Sequence, residues 1–218
     1  MIERSGAEIL NGLLDVFYPR GLTCAACGRE AEVNHQGLCR DCAEGLEVFV
    51  AAPLIKGVDG YTAPLIYNDV SGAMVKGLKY YDKRYLAPVL AGLIELPEKW
   101  NIDFVVPVPL YIDRERQRGF NQSELIAKHL CKRCGLQMNN DLLRRVKDTG
   151  QLAGLTGEAR RRSLKQAFSA SEECMGKSLL LLDDVRTTGT TLLECAAELK
   201  RKGASKVYAA TVCFAKEH

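Results

Sequence analysis

The stretch Leu179-Leu180-Leu181-Leu182-Asp183-Asp184-Val185-Arg186-Thr187-Thr188-Gly189-Thr190-Thr191 constrains this chain more than any other part of it. Four consecutive leucines read as the core of a short buried strand, Ser178 to Leu182, with two carboxylates at its end. A hydroxyl-rich loop with one glycine leads into a helix, Thr190 to Lys202, that stops at Gly203, and Lys206 to Phe214 reads as a second strand. Strand, loop, helix and strand in that order predict parallel pairing with a right-handed crossover. A ligand crevice then lies at the carboxyl ends of the strands.

The same order carries a chemistry. A helix N-terminus presents backbone N–H groups and the positive end of the helix dipole, which suits a phosphate dianion. Thr hydroxyls add donors and Gly189 permits close backbone approach. Carboxylates cannot hold a phosphate, so Asp183 and Asp184 suit ribose hydroxyls instead, directly or through a bridging Mg²⁺. Phosphate plus ribose diol describes a ribose 5-phosphate unit. The plainer alternative is that the two acids cap the loop and the threonines fill a turn. Other phosphate motifs fail in detail: Gly176-Lys177-Ser178 imitates the end of a P-loop, but residue 171 is Ser and the triplet precedes its strand.

At 218 residues the chain has room for one α/β domain and a small satellite. With 47% hydrophobic and 26% charged residues, global disorder is excluded. No apolar stretch approaches the roughly 20 residues of a membrane span, so no membrane insertion is expected. Glu3, Arg4, Glu8, Asn11 and Asp15 interrupt the N-terminus, which breaks any secretory core and predicts a cytoplasmic protein. Residues 1–19 read as an amphipathic helix, 20–48 as a cysteine-rich segment and 49–218 as the main domain.

The count of nine cysteines is odd, which argues against a complete disulfide framework and favours metal binding. Cys24-x-x-Cys27 and Cys39-x-x-Cys42 offer four thiolates for a tetrahedral zinc ion, in a segment too poor in apolar residues to fold without a staple. His35 is unnecessary as a ligand. Cys131-x-x-Cys134 lacks a second pair and reads as structural, while Cys174, Cys195 and Cys213 read as small hydrophobes.

Between Tyr111 and Lys165 there are 13 Lys and Arg against 6 Asp and Glu, a balance of +7 in a chain of net charge +3. Such concentration suggests a polyanionic partner, although scattered pairs such as Lys132-Arg133 read as a solvated face. Phe104 to Val106 is a buried strand followed by a rigid loop, Pro107-Val108-Pro109-Leu110. Tyr85 to Leu96 reads as helical, with Pro88 in its first turn, whereas Ile66-Tyr67 and Gly72 to Tyr81 are ambiguous. Asn121 and Glu124, at capping-box spacing, open a helix that ends at Gly135. Gly150, Gly154 and Gly157 suit a hinged lid or an ordinary surface loop.

Several of these features together resemble the type I phosphoribosyltransferases and, within them, the ComF family of competence-associated proteins. They are Leu179 to Thr191, Asp103 to Leu110, Arg118-Gly119-Phe120-Asn121-Gln122, Gln151, the paired cysteines behind an apolar N-terminal helix, and the Arg-rich segment ending in Ala167-Phe168. The resemblance implies a parallel sheet flanked by helices, with a small zinc-ribbon-like N-terminal segment. It implies phosphoribosyl pyrophosphate (PRPP) as ligand, with Asp183 and Asp184 on the ribose hydroxyls and Thr187, Thr188, Gly189, Thr190 and Thr191 on the 5′-phosphate. Val185 and Arg186 complete that part of the site, and Pro107, Val108 and Pro109 belong to the pyrophosphate loop.

Such enzymes displace pyrophosphate from C1 of the ribose with a nitrogenous acceptor, through a cationic transition state that nearby carboxylates favour. Mg²⁺ and basic groups offset the charge of the leaving group. Lys79, Arg114, Arg118, Arg161 and Arg162 are the candidate basic groups, and Arg118 joins the two acids as catalytic. The family's association with DNA uptake and natural transformation implies single-stranded DNA and competence or recombination proteins as further partners. In that reading Tyr80, Tyr81, Tyr85 and Phe120 supply stacking faces, although such aromatics more often pack in a core. A PRPP sensor without turnover is a third reading. Arg186, where the family has a small or apolar residue, and Ser163, where it has Asn, depart from the pattern.

Overall fold

The computed structural model describes residues 23–49, 55–148 and 164–216. The helix expected over 1–19, the glycine lid from 150 onward, Gln151, Arg161, Arg162 and Ser163 lie outside the described residues. The chain divides into two compact units, Met1–Gly45 and Leu46–His218. No helix of the described residues is long and apolar enough to cross a membrane.

In the smaller unit the backbone folds back twice to bring its cysteines together. Gly28 N donates to Cys24 O at 2.8 Å, closing the first turn with Gly28 at φ 74°. Isolated antiparallel bridges join Thr23 to Glu30 and Val33 to Cys39, and Asn34 Oδ1 accepts from the amides of Gln36 and Leu38 at 3.0 Å each. Cys39 then opens a short helix, α1 (Arg40–Glu44). Besides the cysteines, only Ala25 and Leu38 are buried here among the described residues, so apolar burial alone gives this unit little stability.

The larger unit is built on a parallel sheet. Strands β1 (Gly60–Thr62) and β2 (Leu65–Ile66) precede helices α2 (Asp69–Tyr80) and α3 (Leu86–Leu93), followed by β3 (Phe104–Pro107). Helices α4 (Ile112–Arg118) and α5 (Gln122–Cys134) come next, then an antiparallel pair, β4 (Leu143–Arg145) with β5 (Phe168–Ala170). The chain ends in β6 (Ser178–Arg186), α6 (Thr190–Arg201) and β7 (Lys206–Phe214). Strand order is β1, β7, β6, β3, and β2 extends the β1 edge along β7. Every pairing in this sheet is parallel, as the strand-helix-strand pattern predicts.

The core follows from the alternation of side chains along the strands. Leu179, Leu181, Val207 and Ala209 share one buried cluster with Leu192, Cys195, Ala196 and Leu199 of α6. Cys174, Cys195 and Cys213 are completely buried, in keeping with their reading as small hydrophobes, whereas Cys131 is buried and Cys134 exposed. Carboxylate contacts tie down strand starts: Asp103 accepts from Ser178 N at 2.7 Å, and Asp59 from Val207 N at 2.8 Å. Arg133 is more than a solvated charge, because its guanidinium donates to the carbonyls of Ala91 and Ile94 at the end of α3. There it satisfies groups that a helix terminus leaves unpaired.

Helix α2 settles the ambiguous stretch before Tyr81. Asn68 caps it by accepting from the amides of Val70 and Ser71, and Ser71 Oγ in turn accepts from Asn68 N, completing a capping box. Gly60 shows how tightly the sheet edge is packed. A Cβ there would lie 2.7 Å from Cζ2 of Trp100, whose ring stacks on Tyr208 at 4.6 Å between centroids. Gly60→Ala is expected to displace that ring and to cost about 1–3 kcal/mol. Trp100 is the chain's one tryptophan, so fluorescence-monitored denaturation reads both effects. An unchanged midpoint and emission maximum would show that the edge gives way freely.

Candidate active site

The carboxyl ends of β3 and β6 border a cavity of about 460 Å³. β6 does not stop at Leu182: it keeps pairing with β7 as far as Arg186 opposite Phe214, so Asp183 and Asp184 are strand residues. Successive strand side chains leave opposite faces of the sheet. The two acids accordingly have different partners, although both line the cavity.

Asp183 Oδ1 accepts from Ser123 Oγ, near the start of α5, at 2.9 Å, and from Asp184 N at 2.9 Å. Asp184 is 3% exposed; its Oδ1 accepts from Val185 N at 2.9 Å and its Oδ2 lies 2.5 Å from Lys79 Nζ. Desolvation, and then the charge of Asp184, push the Asp183 carboxyl up to about 7 against the opposing pull of Lys79. Burial works against the Lys79 ammonium, but Asp184 and Asp183 outweigh it and hold its pKa above the usual lysine range.

Around these acids the cavity collects Val185 near the end of β6, Thr187 and Thr191 after it, Val108 and Pro109 after β3, and the basic residues Lys79, Arg114 and Arg118. Other expected residues stand off its wall. Thr188 and Thr190 are hydrogen-bonded to one another through their hydroxyls at 2.8 Å, and Gly189 is the N-cap of α6 at φ 76°. Arg186 lies over the Tyr61 ring, 4.9 Å from its centroid. Pro107 faces a separate, smaller cavity beside β4.

Four polar contributors were given no site role by the sequence reading. Tyr67, Lys76, Gln122 and Arg145 all line the main cavity. Gln122 accepts from Arg118, which gives the Arg118 to Gln122 motif a shared purpose. Asn121, in the same motif, caps α5 through Ser123 N and donates to Val108 O at 3.1 Å, which latches the loop after β3 onto the helix start. A second cavity of about 600 Å³ adjoins the first through Lys79, Tyr80, Arg114 and Arg118, and adds Asp82, Gln117 and Phe120. The expectation that the nearby aromatics are core holds for Phe120, which is buried beneath Arg84. It fails for Tyr80, Tyr81 and Tyr85, which are 65%, 72% and 55% exposed.

In the smaller unit, the sulfurs of Cys24, Cys27, Cys39 and Cys42 all lie within 4.8 Å of one another. Cys27 and Cys39 are 3.9 Å apart. Four sulfurs at about 2.3 Å from a tetrahedral zinc ion are separated by about 3.8 Å, so the donor set fits that metal. The Arg29 guanidinium, 3.5 Å from Cys27 Sγ, pulls that thiol down to about 6, toward the thiolate a metal needs. Exposed His35 takes no part in the cluster.

A parallel sheet with two acids on its β6 strand and a threonine loop leading into a helix define a type I phosphoribosyltransferase fold, preceded in the chain by a cysteine cluster compatible with a zinc ribbon. The phosphoribosyl transferase domain family matches residues 131–218. The chain belongs to the ComF family. It is 30% identical to the "DNA utilization protein YhgH" of Salmonella typhi over 87% of this chain and 83% of that one. It is 28% identical to "Competence protein F" of Haemophilus influenzae, covering 84% and 81% of the two chains. "Competence protein ComFC" of Bacillus subtilis is 28% identical over 84% of this chain and 73% of its own.

Proposed function

We propose that the main cavity binds PRPP and supports transfer of its ribose 5-phosphate to a nitrogenous acceptor. The observation that carries this reading is the convergence of Asp183, Asp184, Thr187, Thr191, Arg114 and Arg118 on one cavity at the carboxyl ends of β3 and β6. In it, Asp183 Oδ2, which has no donor among the described residues, accepts from a ribose hydroxyl. Thr187, Thr191 and the first-turn amides of α6 hold the 5′-phosphate. Arg114 and Arg118 face the pyrophosphate end, where their charge favours the leaving group. The Mg²⁺ that such chemistry uses belongs, in this reading, on the pyrophosphate oxygens of the ligand. The cysteine cluster holds a structural zinc ion with no open position for chemistry.

Incubation of the chain with PRPP and candidate nitrogenous acceptors is expected to release pyrophosphate. PRPP binding without release for any acceptor would favour the sensor reading, and no binding at all would remove the proposal. One observation favours a second activity: exposed Tyr80 lines the basic second cavity and is followed in the chain by exposed Tyr81 and Tyr85, side chains suited to stacking on the bases of single-stranded DNA. Steeply salt-dependent DNA binding, weakened by changing these tyrosines to alanine, would support it.

A further inference from the structure

We infer that Lys79 supplies, from within the chain, the positive charge that a divalent cation would otherwise bring to the acid pair. The site then binds a phosphorylated sugar without holding Mg²⁺ between Asp183 and Asp184. This rests on the sugar-phosphate reading above and concerns only the sugar end of the ligand.

The donor set does not fit a protein-held Mg²⁺. That ion asks for octahedral oxygen ligands at about 2.0–2.1 Å. Of the four carboxylate oxygens here, three are engaged. Asp184 Oδ2 contacts the Lys79 ammonium at 2.5 Å, Asp184 Oδ1 takes the Val185 amide, and Asp183 Oδ1 takes both Ser123 Oγ and the Asp184 amide. A dication approaching Asp184 would have to displace an ammonium already in contact with it, at a side chain only 4% exposed.

Charge on the cavity wall points the same way. Lys76, Lys79, Arg114, Arg118 and Arg145 stand against Asp183 and Asp184, a surplus of basic groups that attracts an anionic ligand with no metal to bridge it. Lys79 is also firmly placed. It sits in the last turn of α2, where the helix dipole favours a cation, on a helix whose start is fixed by the Asn68–Ser71 capping box.

The test is calorimetric titration of the full chain with ribose 5-phosphate, which has the sugar hydroxyls and the phosphate but no diphosphate to bring an ion of its own. It is run in EDTA and in excess Mg²⁺. Wild-type affinity is expected to agree within about threefold between the two buffers. Lys79→Met should lose about tenfold or more in EDTA and recover in Mg²⁺, because the bared carboxylate then recruits the ion. The double variant Lys79→Met with Asp184→Asn, which buries no unpaired charge, should again be indifferent to metal, and it keeps the test open if the single variant fails to fold. Wild-type binding that strengthens about tenfold in Mg²⁺, or a double variant that depends on it, overturns the role of Lys79 while leaving the sugar-phosphate site standing. Absence of wild-type binding in both buffers overturns that site, and the inference with it.

Discussion

Cys24→Ser is expected to unfold residues 23–45 while leaving the larger unit folded. The four sulfurs lie within 4.8 Å of one another, and outside them the described part of the small unit buries only Ala25 and Leu38. Two such side chains contribute a few kcal/mol at most, whereas a structural zinc site contributes about 10–16 kcal/mol. Loss of one thiolate therefore removes the dominant stabilising term. The larger unit has its own core around Leu179, Leu181 and Leu199, which includes none of the four clustered cysteines. Metal analysis should find zinc in the wild type and little in the variant, and hydrogen exchange should show protection lost between 23 and 45 only. Chelation of the wild type should reproduce that pattern. Retained protection without metal would mean that the segment is held by something other than an ion.

The second large effect has two opposite signs in one variant. Asp183→Asn should stabilise the ligand-free chain and weaken PRPP binding. The carboxyl is pushed up to about 7 from an ordinary value of 3.8, so the folded state takes up a proton that the unfolded state has already released. Below about pH 4 both states are protonated and the acid costs nothing. As pH rises toward 7 the folded chain loses stability, and above 7 the deficit levels off at about 4 kcal/mol as an upper bound. Asn keeps the acceptor for Ser123 and the Asp184 amide, so the variant should denature later than wild type at pH 8 and with it at pH 4. Losing a charged acceptor for a ribose hydroxyl should cost about tenfold or more in PRPP affinity. Equal stabilities at pH 8 would show that Asp183 carries no such strain.

How far these features are legible in the sequence depends on what each leaves there. β7 and α6 are written plainly, because a run of apolar residues and a terminal Gly203 need no tertiary information. β6 is longer than its leucines suggest: Asp183 to Arg186 look like a loop, yet β7 offers them partners up to Phe214. Helix α4 leaves no apolar period because none of its residues is buried, so only its capping by Gly119, at φ 81°, marks it. The acids and the threonine loop were legible because they are close in sequence, and Arg118 because it opens a short motif of its own, Arg118 to Gln122. Arg145 and Lys76 were not, because strand β4 and helix α2 bring them to the cavity from distant parts of the chain. The pairing of Lys79 with Asp184 likewise spans more than a hundred positions, and no local pattern announces it.

The most direct measurement is a crystal structure of the chain grown with PRPP. The account predicts density for the 5′-phosphate at the loop from Thr187 to Thr191, with a ribose hydroxyl on Asp183 Oδ2 and the pyrophosphate near Arg114 and Arg118. A sugar held by the basic second cavity, or lying clear of Asp183 altogether, would contradict it.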